Sequence, residues 1–191
     1  MSVRKQIATP DGVYFITFTC AQWLPLFHNN YEVIYTWFDH LKSNGHYIIG
    51  YVIMPTHLHV VIAFRNNGKP INTTVSNGKR FMAYELVKRL AQAKHIDMLA
   101  KLQALLSATE IKQGKLHRVF EPSFDWKECR TNNFIVQKLN YIHNNPCKAE
   151  VCKAPEDYVH SSAKFYSTGE QGHYKVTSYM ELQDVDLTSQ L

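Results

Sequence analysis

Apolar and polar positions follow two different periods along this chain, and the changes between them mark its elements. Val13-Tyr14-Phe15-Ile16-Thr17-Phe18-Thr19-Cys20 is dense in aromatic and β-branched residues, the composition of a strand. From Tyr31 to Ser43 the apolar residues fall at Val33, Ile34, Trp37, Phe38 and Leu41, the spacing of a helix with one buried face. Asn44-Gly45 stops that helix. His46 to Met54 predicts a second strand and Leu58 to Phe64 a third, and the short break at Pro55-Thr56 makes the two a hairpin. Arg65 to Thr74, with Gly68 and Pro70, reads as a polar turn region. Val75 to Lys94 predicts a second helix carrying Phe81, Leu86, Val87 and Leu90, with a broken continuation through Leu106. Gln113-Gly114-Lys115 interrupts the pattern. Thr131 or Asn132 can cap a third helix that runs through Phe134, Ile135, Leu139 and Ile142 to about Asn144. Pro146 should end it, because a residue before proline avoids the helical region. Beyond Cys147 the chain looks irregular apart from a short element near Tyr158 to Phe165, and the tail after Tyr166 is polar and expected to attach loosely.

The resulting order, β-α-β-β-α with room for another strand, fits an α+β ferredoxin-like domain: an antiparallel sheet with helices on one face. There are no repeats or linkers, so residues 1–191 read as one domain with a core over about 10–166 and a polar tail over 167–191. That architecture hosts many activities, so function has to come from particular residues.

Composition narrows the classes. Hydrophobic residues make up 45% and charged residues 19% of the chain, a globular balance. No apolar run approaches the roughly 20 residues a membrane span needs. Met1-Ser2-Val3-Arg4-Lys5-Gln6 leads into no apolar stretch of the secretory kind, so the expected location is the cytoplasm. Cys20, Cys129, Cys147 and Cys152 form no C-x-x-C pair and are expected to be reduced thiols; Cys147 and Cys152 could be half of a zinc site, but the other half is missing. A net charge of +5 permits a polyanionic partner without requiring one.

Three groups of residues bear chemistry. His57-Leu58-His59 lies in a strand, where residues i and i+2 share a face, so both imidazoles point one way and Leu58 the other. Two imidazoles on one face are half of a metal site, or two surface histidines on a half-buried strand. Tyr141 lies in the third helix with Asn145 four residues on, one turn along the same face if the helix reaches it. Asn145 can serve as a third ligand or as a plain helix cap; Tyr141 can be a nucleophile or a packing aromatic. His143, between them, could orient a phosphate, act as a base or simply be exposed. Lys79, Arg80, Lys88 and Arg89 on the second helix, Lys112, Lys115, His117 and Arg118 after it, and Lys127, Arg130 and Lys138 before Tyr141 could track a phosphate backbone. Phe120, Phe124 and Trp126 are available for base stacking. A solvated basic face with a few core aromatics accounts for these residues equally well.

Taken together, two of these segments carry a family resemblance over roughly residues 10–166. Met54-Pro55-Thr56-His57-Leu58-His59-Val60-Val61 resembles the His-hydrophobic-His strand of the single-tyrosine HUH transposases. Asn140-Tyr141-Ile142-His143-Asn144-Asn145-Pro146-Cys147-Lys148-Ala149 resembles the tyrosine helix of the REP-associated branch of that family, and Asp157-Tyr158 through Ser161-Ser162-Ala163 is similar to the segment that follows it there. Cys147 departs from the pattern, standing where a valine is common. The resemblance implies the HUH endonuclease fold, a divalent metal (Mg2+ or Mn2+) and a single-stranded DNA substrate with a hairpin. It assigns His57 and His59 as metal ligands and Tyr141 as nucleophile, with Asn145 where the family has a polar third ligand, often glutamine in the insertion-sequence branch. It implies a monomer or a homodimer, since dimers of that branch exchange tyrosine helices and REP-associated members can act alone. Among the basic residues, Lys79, Arg80, Lys115, Arg118 and Arg130 are expected to contact the nucleic acid.

The activity this implies is DNA nicking and rejoining through a 5′-phosphotyrosine intermediate, with no nucleotide cofactor and no P-loop in the chain. The alternative is a domesticated relative that binds hairpin nucleic acid without cutting. A metal-dependent hydrolase using His57 and His59 on water is disfavoured, because no Asp or Glu lies within a few residues to complete such a site.

Overall fold

The computed structural model describes residue 7 and residues 9–189. The stretch Met1–Gln6, read above for a leader, lies outside the described residues. Four strands form one antiparallel sheet in the order β2-β3-β1-β4: β1 (Gly12–Thr19), β2 (Tyr47–Met54), β3 (His57–Phe64) and β4 (Asp125–Glu128). Helix α1 (Glu32–Ser43) joins β1 to β2, and α2 (Ile71–Gln92) follows β3. The short α3 (Ile96–Ala104) and α4 (Ala108–Lys112) lead to β4. Helix α5 (Asn132–His143) comes next, then α6 (Asn145–Lys148) and α7 (Ala163–Thr168). This is the α+β ferredoxin-like order with α3 and α4 inserted before the last strand. Among the described residues no helix is long and apolar enough to cross a membrane.

The two faces of the sheet bury different things. Tyr14, Ile16 and Phe18 of β1 and Leu58, Val60, Ile62 and Phe64 of β3 pack under α1 and α2, forming the larger core. Phe15, Val61 and Ala63 point the opposite way, into a smaller core closed by Ile135, Leu139 and Ile142 of α5. The helices expected together on one face are therefore split: the α1/α2 pair covers one face and the tyrosine-bearing helix the other. Cover on both faces explains why β2 and β3 read as nearly continuous apolar runs. A bulge between Ile48 and Gly50 shifts the alternation of β2, so that Ile49, Val52 and Met54 face α5 while Tyr51 and Ile53 face α1.

Gly50 sets how closely α5 can lie. A Cβ there would collide with Leu139 Cδ2 and stand 3.2 Å from Ser162 Oγ. Gly50→Ala is expected to lower stability by about 1–3 kcal/mol through overpacking, read from urea denaturation. Native stability in that variant would mean that α5 does not rest on this contact.

Three boundaries differ from the sequence reading. Helix α2 begins at Ile71 rather than Val75, because Pro70 is its extended N-cap and Ile71 is buried. Pro146 does not end the helical path: it sits in the first turn of α6, where its missing N–H costs nothing, so Asn145 continues the line of α5 almost without a break. The tail is not loose either. Thr177 N–H donates to Ile48 O at 2.9 Å, Val176 is buried, and Tyr179, Leu182 and Leu187 pack against the α5-side core. Its polar composition hid a few well-spaced apolar anchors.

Candidate active site

The site begins with a tight turn. Only Pro55 and Thr56 separate β2 from β3, and Met54 pairs directly with His57. Phe27 N–H donates to Pro55 O at 3.0 Å and Cys20 N–H to Thr56 O at 2.9 Å, so the turn is pinned by the chain that leaves β1. Next to it, His57 and His59 lie opposite Thr19 and Thr17 of β1. Both imidazoles project to the α5 side, their ring centroids 4.8 Å apart. Leu58 points into the opposite core, as strand alternation requires.

Each imidazole has one nitrogen held. His59 Nδ1 lies 2.6 Å from Thr17 Oγ1, and His57 Nδ1 lies 2.9 Å from Thr56 Oγ1. In the tautomer that places a proton on each Nδ1, both Nε2 lone pairs are available to a cation, which is how metal-ligating histidines are usually oriented. Burial lowers the pKa of His57, opposed by the bond that a protonated Nε2 would donate to Asn145 Oδ1. Burial, then the neighbouring His57, push His59 down to about 3. The neutral imidazole is the ligand-competent form.

Helix α5 supplies the facing half. Thr131 caps it, its hydroxyl accepting from Phe134 N–H at 3.2 Å. Ile135, Leu139, Ile142 and His143 form its buried stripe. Tyr141 lies beside that stripe, 43% exposed, its ring centroid 5.3 Å from that of His59 and 5.9 Å from that of Phe15. One turn on, Asn145 Oδ1 is 3.3 Å from His57 Nε2. Two ligands about 2.1 Å from one ion and at right angles stand about 3 Å apart, so this pair suits a small divalent cation. Among the described residues no group of three or more His, Cys, Asp or Glu could hold a metal. The donors this arrangement could offer a cation are two imidazoles and one amide oxygen, all neutral, which would leave the charge of a bound cation for an anionic substrate.

The other nominated residues divide sharply. Lys79 is not offered to a phosphate: it is buried, and its ammonium donates to Glu121 O at 2.8 Å and Ser123 O at 2.9 Å, tying α2 to the loop before β4. Lys79→Met is expected to cost about 2 kcal/mol in thermal unfolding and to leave the salt dependence of DNA binding unchanged. A flatter salt dependence would restore Lys79 to the list of phosphate contacts. Arg118 and Lys115 both pair with Glu110 at α4, Lys115 at 3.0 Å. The Arg118 guanidinium, followed by smaller contributions including Lys115, holds the Glu110 carboxyl well below the usual range. Arg80 is exposed on α2, 5.2 Å from the Phe81 ring centroid and on the layer opposite Tyr141. Arg130 is exposed before α5, paired with Glu128 at 2.7 Å. None of these five cations joins the histidine–tyrosine cluster.

Of the aromatics, Phe120 is buried against Phe18, ring centroids 5.5 Å apart, and Trp126 packs edge-on to Tyr14 at 5.8 Å. His143 is a buried structural residue. Its Nε2 bonds Ser162 Oγ at 2.8 Å, that hydroxyl also receives Tyr51 N–H, and burial pushes the imidazole down to about 4. Cys147 and Cys152 have their sulfurs 3.5 Å apart.

Sequence reasoning missed two residues at the site. Lys148 Nζ lies 5.6 Å from the Tyr141 ring centroid. Its place seven residues after Tyr141, two helical turns along one face, was the signal that could have found it. Trp23 stands against His57, ring centroids 5.3 Å apart, and nothing in its local pattern announced that.

No family profile matches the chain, and no curated protein does. A solved structure of a REP-associated tyrosine transposase bound to a REP hairpin aligns with 100% of this chain and 99% of its own, at a TM-score of 0.64 and 15% identity. A chain from Deinococcus radiodurans R1, itself assigned as a transposase only by inference, aligns with 75% of this chain and 97% of its own at 12% identity; its TM-score of 0.37 carries no argument. At these identities the likeness concerns the fold: this chain has the α+β fold of a REP-associated tyrosine transposase.

Proposed function

We propose that this protein nicks and rejoins single-stranded DNA beside a hairpin, with Tyr141 as the nucleophile. The observation that carries this reading is the convergence of His57 and His59 from one face of β3 with Tyr141 and Asn145 from one face of α5–α6. Fold likeness to a protein solved with a REP hairpin supports the substrate class. His57, His59 and Asn145 would hold Mg2+ or Mn2+, which when bound polarises the scissile phosphate and offsets the charge that develops on it.

The chain's own groups do the rest. Tyr141 Oη attacks phosphorus, losing its proton to solvent, while the bond from phosphorus to the 3′-oxygen breaks and that oxygen takes up a proton. A 5′-phosphotyrosine and a free 3′-hydroxyl result. The phosphodiester's energy is kept in the new linkage, so attack by a 3′-hydroxyl reverses the step and joins a strand. Lys148, with its ammonium 5.6 Å from the phenol ring centroid, would offset the negative charge of a phosphate under attack. In-line attack requires a backbone free to turn, which single strands have and duplexes lack.

The test is a denaturing gel of the protein with pooled hairpin-bearing single strands and Mn2+ or Mg2+. A metal-dependent protein–DNA adduct, absent with chelator, is the expected result. Hairpins that shift on a native gel without forming adducts would instead favour binding without cleavage.

A further inference from the structure

The turn after β1 holds an exposed tryptophan beside the proposed metal-ligand pair. Cys20, Ala21 and Leu24 are buried, while Gln22 and Trp23 between them are exposed. Both adopt positive φ, 49° and 56°, a backbone region that residues other than glycine rarely occupy and that bulky side chains resist. Surrounding bonds impose it. Gln22 N–H donates to Glu121 Oε1 at 3.0 Å, Ala21 N–H to Val119 O at 2.8 Å, and Trp23 N–H to Cys20 O at 3.0 Å. Glu121 in turn lies in the loop that Lys79 anchors. The outcome of this strained and well-tied turn is an indole 63% open to solvent with its ring edge-on to His57.

A tryptophan that served packing would be turned inward, as Trp37 is. One fixed outward beside a phosphate-activating centre has the form of a stacking surface, since every nucleobase presents a π-face and stacking tolerates any sequence. Resting on the proposed function, we infer that Trp23 is a nucleobase platform: it stacks the base next to the phosphate held at His57, His59 and Asn145. The platform fixes the sugar-phosphate backbone at that point, and it requires the base to be unpaired, which links the choice of single strands to a particular side chain. The ligand chemistry is an unstacked base of single-stranded DNA, without preference for its identity.

Two probes of equal charge separate base from backbone: fluorescently labelled oligothymidylate, and an abasic deoxyribose-phosphate chain of the same length. Their affinities are measured by anisotropy for the native protein, Trp23→Ala and Trp23→Phe. Trp23→Ala is expected to weaken oligothymidylate binding about tenfold or more, to leave the abasic chain unaffected, and to be largely rescued in Trp23→Phe. An unchanged thermal midpoint is expected too, because the indole is exposed. If Trp23→Ala weakens both probes alike, or neither, the platform assignment is wrong while the nuclease reading stands. If the native protein binds neither probe, the single-strand reading itself fails and takes the assignment with it.

Discussion

Replacing Tyr141 with phenylalanine is expected to abolish the covalent protein–DNA adduct while leaving hairpin binding within about twofold of native. The change removes one oxygen from a ring that is 43% exposed, so no buried partner is orphaned. The ring contacts with His59 and Phe15 persist in the variant, as does the position of Lys148 over the ring. Loss of a nucleophile with its surroundings intact lowers turnover by about four orders of magnitude or more in comparable covalent enzymes, which takes an adduct band below detection. The separation of the two readouts gives the experiment its force. An adduct that persists in Tyr141→Phe would place the nucleophile elsewhere, and simultaneous loss of adduct and binding would point to misfolding of α5.

The second large effect concerns the proposed metal ligands. His59→Ala is expected to reduce adduct formation at least about a thousandfold at any Mn2+ concentration, because one of only two imidazoles is removed. Thr17→Val should behave differently. It removes the hydroxyl 2.6 Å from His59 Nδ1 and keeps both ligands. Loss of such an orienting bond usually weakens metal affinity by about 10–100-fold. The Mn2+ concentration for half-maximal adduct should rise by that factor, with a near-native yield at saturation. If Thr17→Val instead lowered the saturated yield and left the half-maximal concentration alone, the threonine would act on the substrate and not through His59.

The helix face and the histidine strand were legible because each rests on a local period. Alternation alone puts His57 and His59 on one face, and the stripe Ile135, Leu139 and Ile142 leaves Tyr141 at its border. Edge strand β4 was missed: Asp-Trp-Lys-Glu has a single apolar residue, and its pairing with Tyr14–Thr17 is what makes it a strand. Lys79 was misjudged by its charge, although its position in the series Ile71, Val75, Gly78, Lys79, Met82 and Leu86 belongs to the buried stripe of α2. His143, expected to stand exposed if not functional, is buried instead, since a residue two positions from Tyr141 lies on the far side of the helix, against the sheet. Trp23 could not be read at all, because its exposure comes from two left-handed backbone positions that long-range bonds enforce.

The proposed nucleophile and the proposed third ligand share one continuous stretch of chain, Tyr141 on α5 and Asn145 at the start of α6, while both imidazoles belong to a strand hydrogen-bonded on each side. Any displacement of the helical segment from the sheet would carry Tyr141 and Asn145 away from the two imidazoles in the same movement. Under the proposed function, cleavage would then require α5 to be seated against Gly50, the contact that fixes how closely it lies on the sheet.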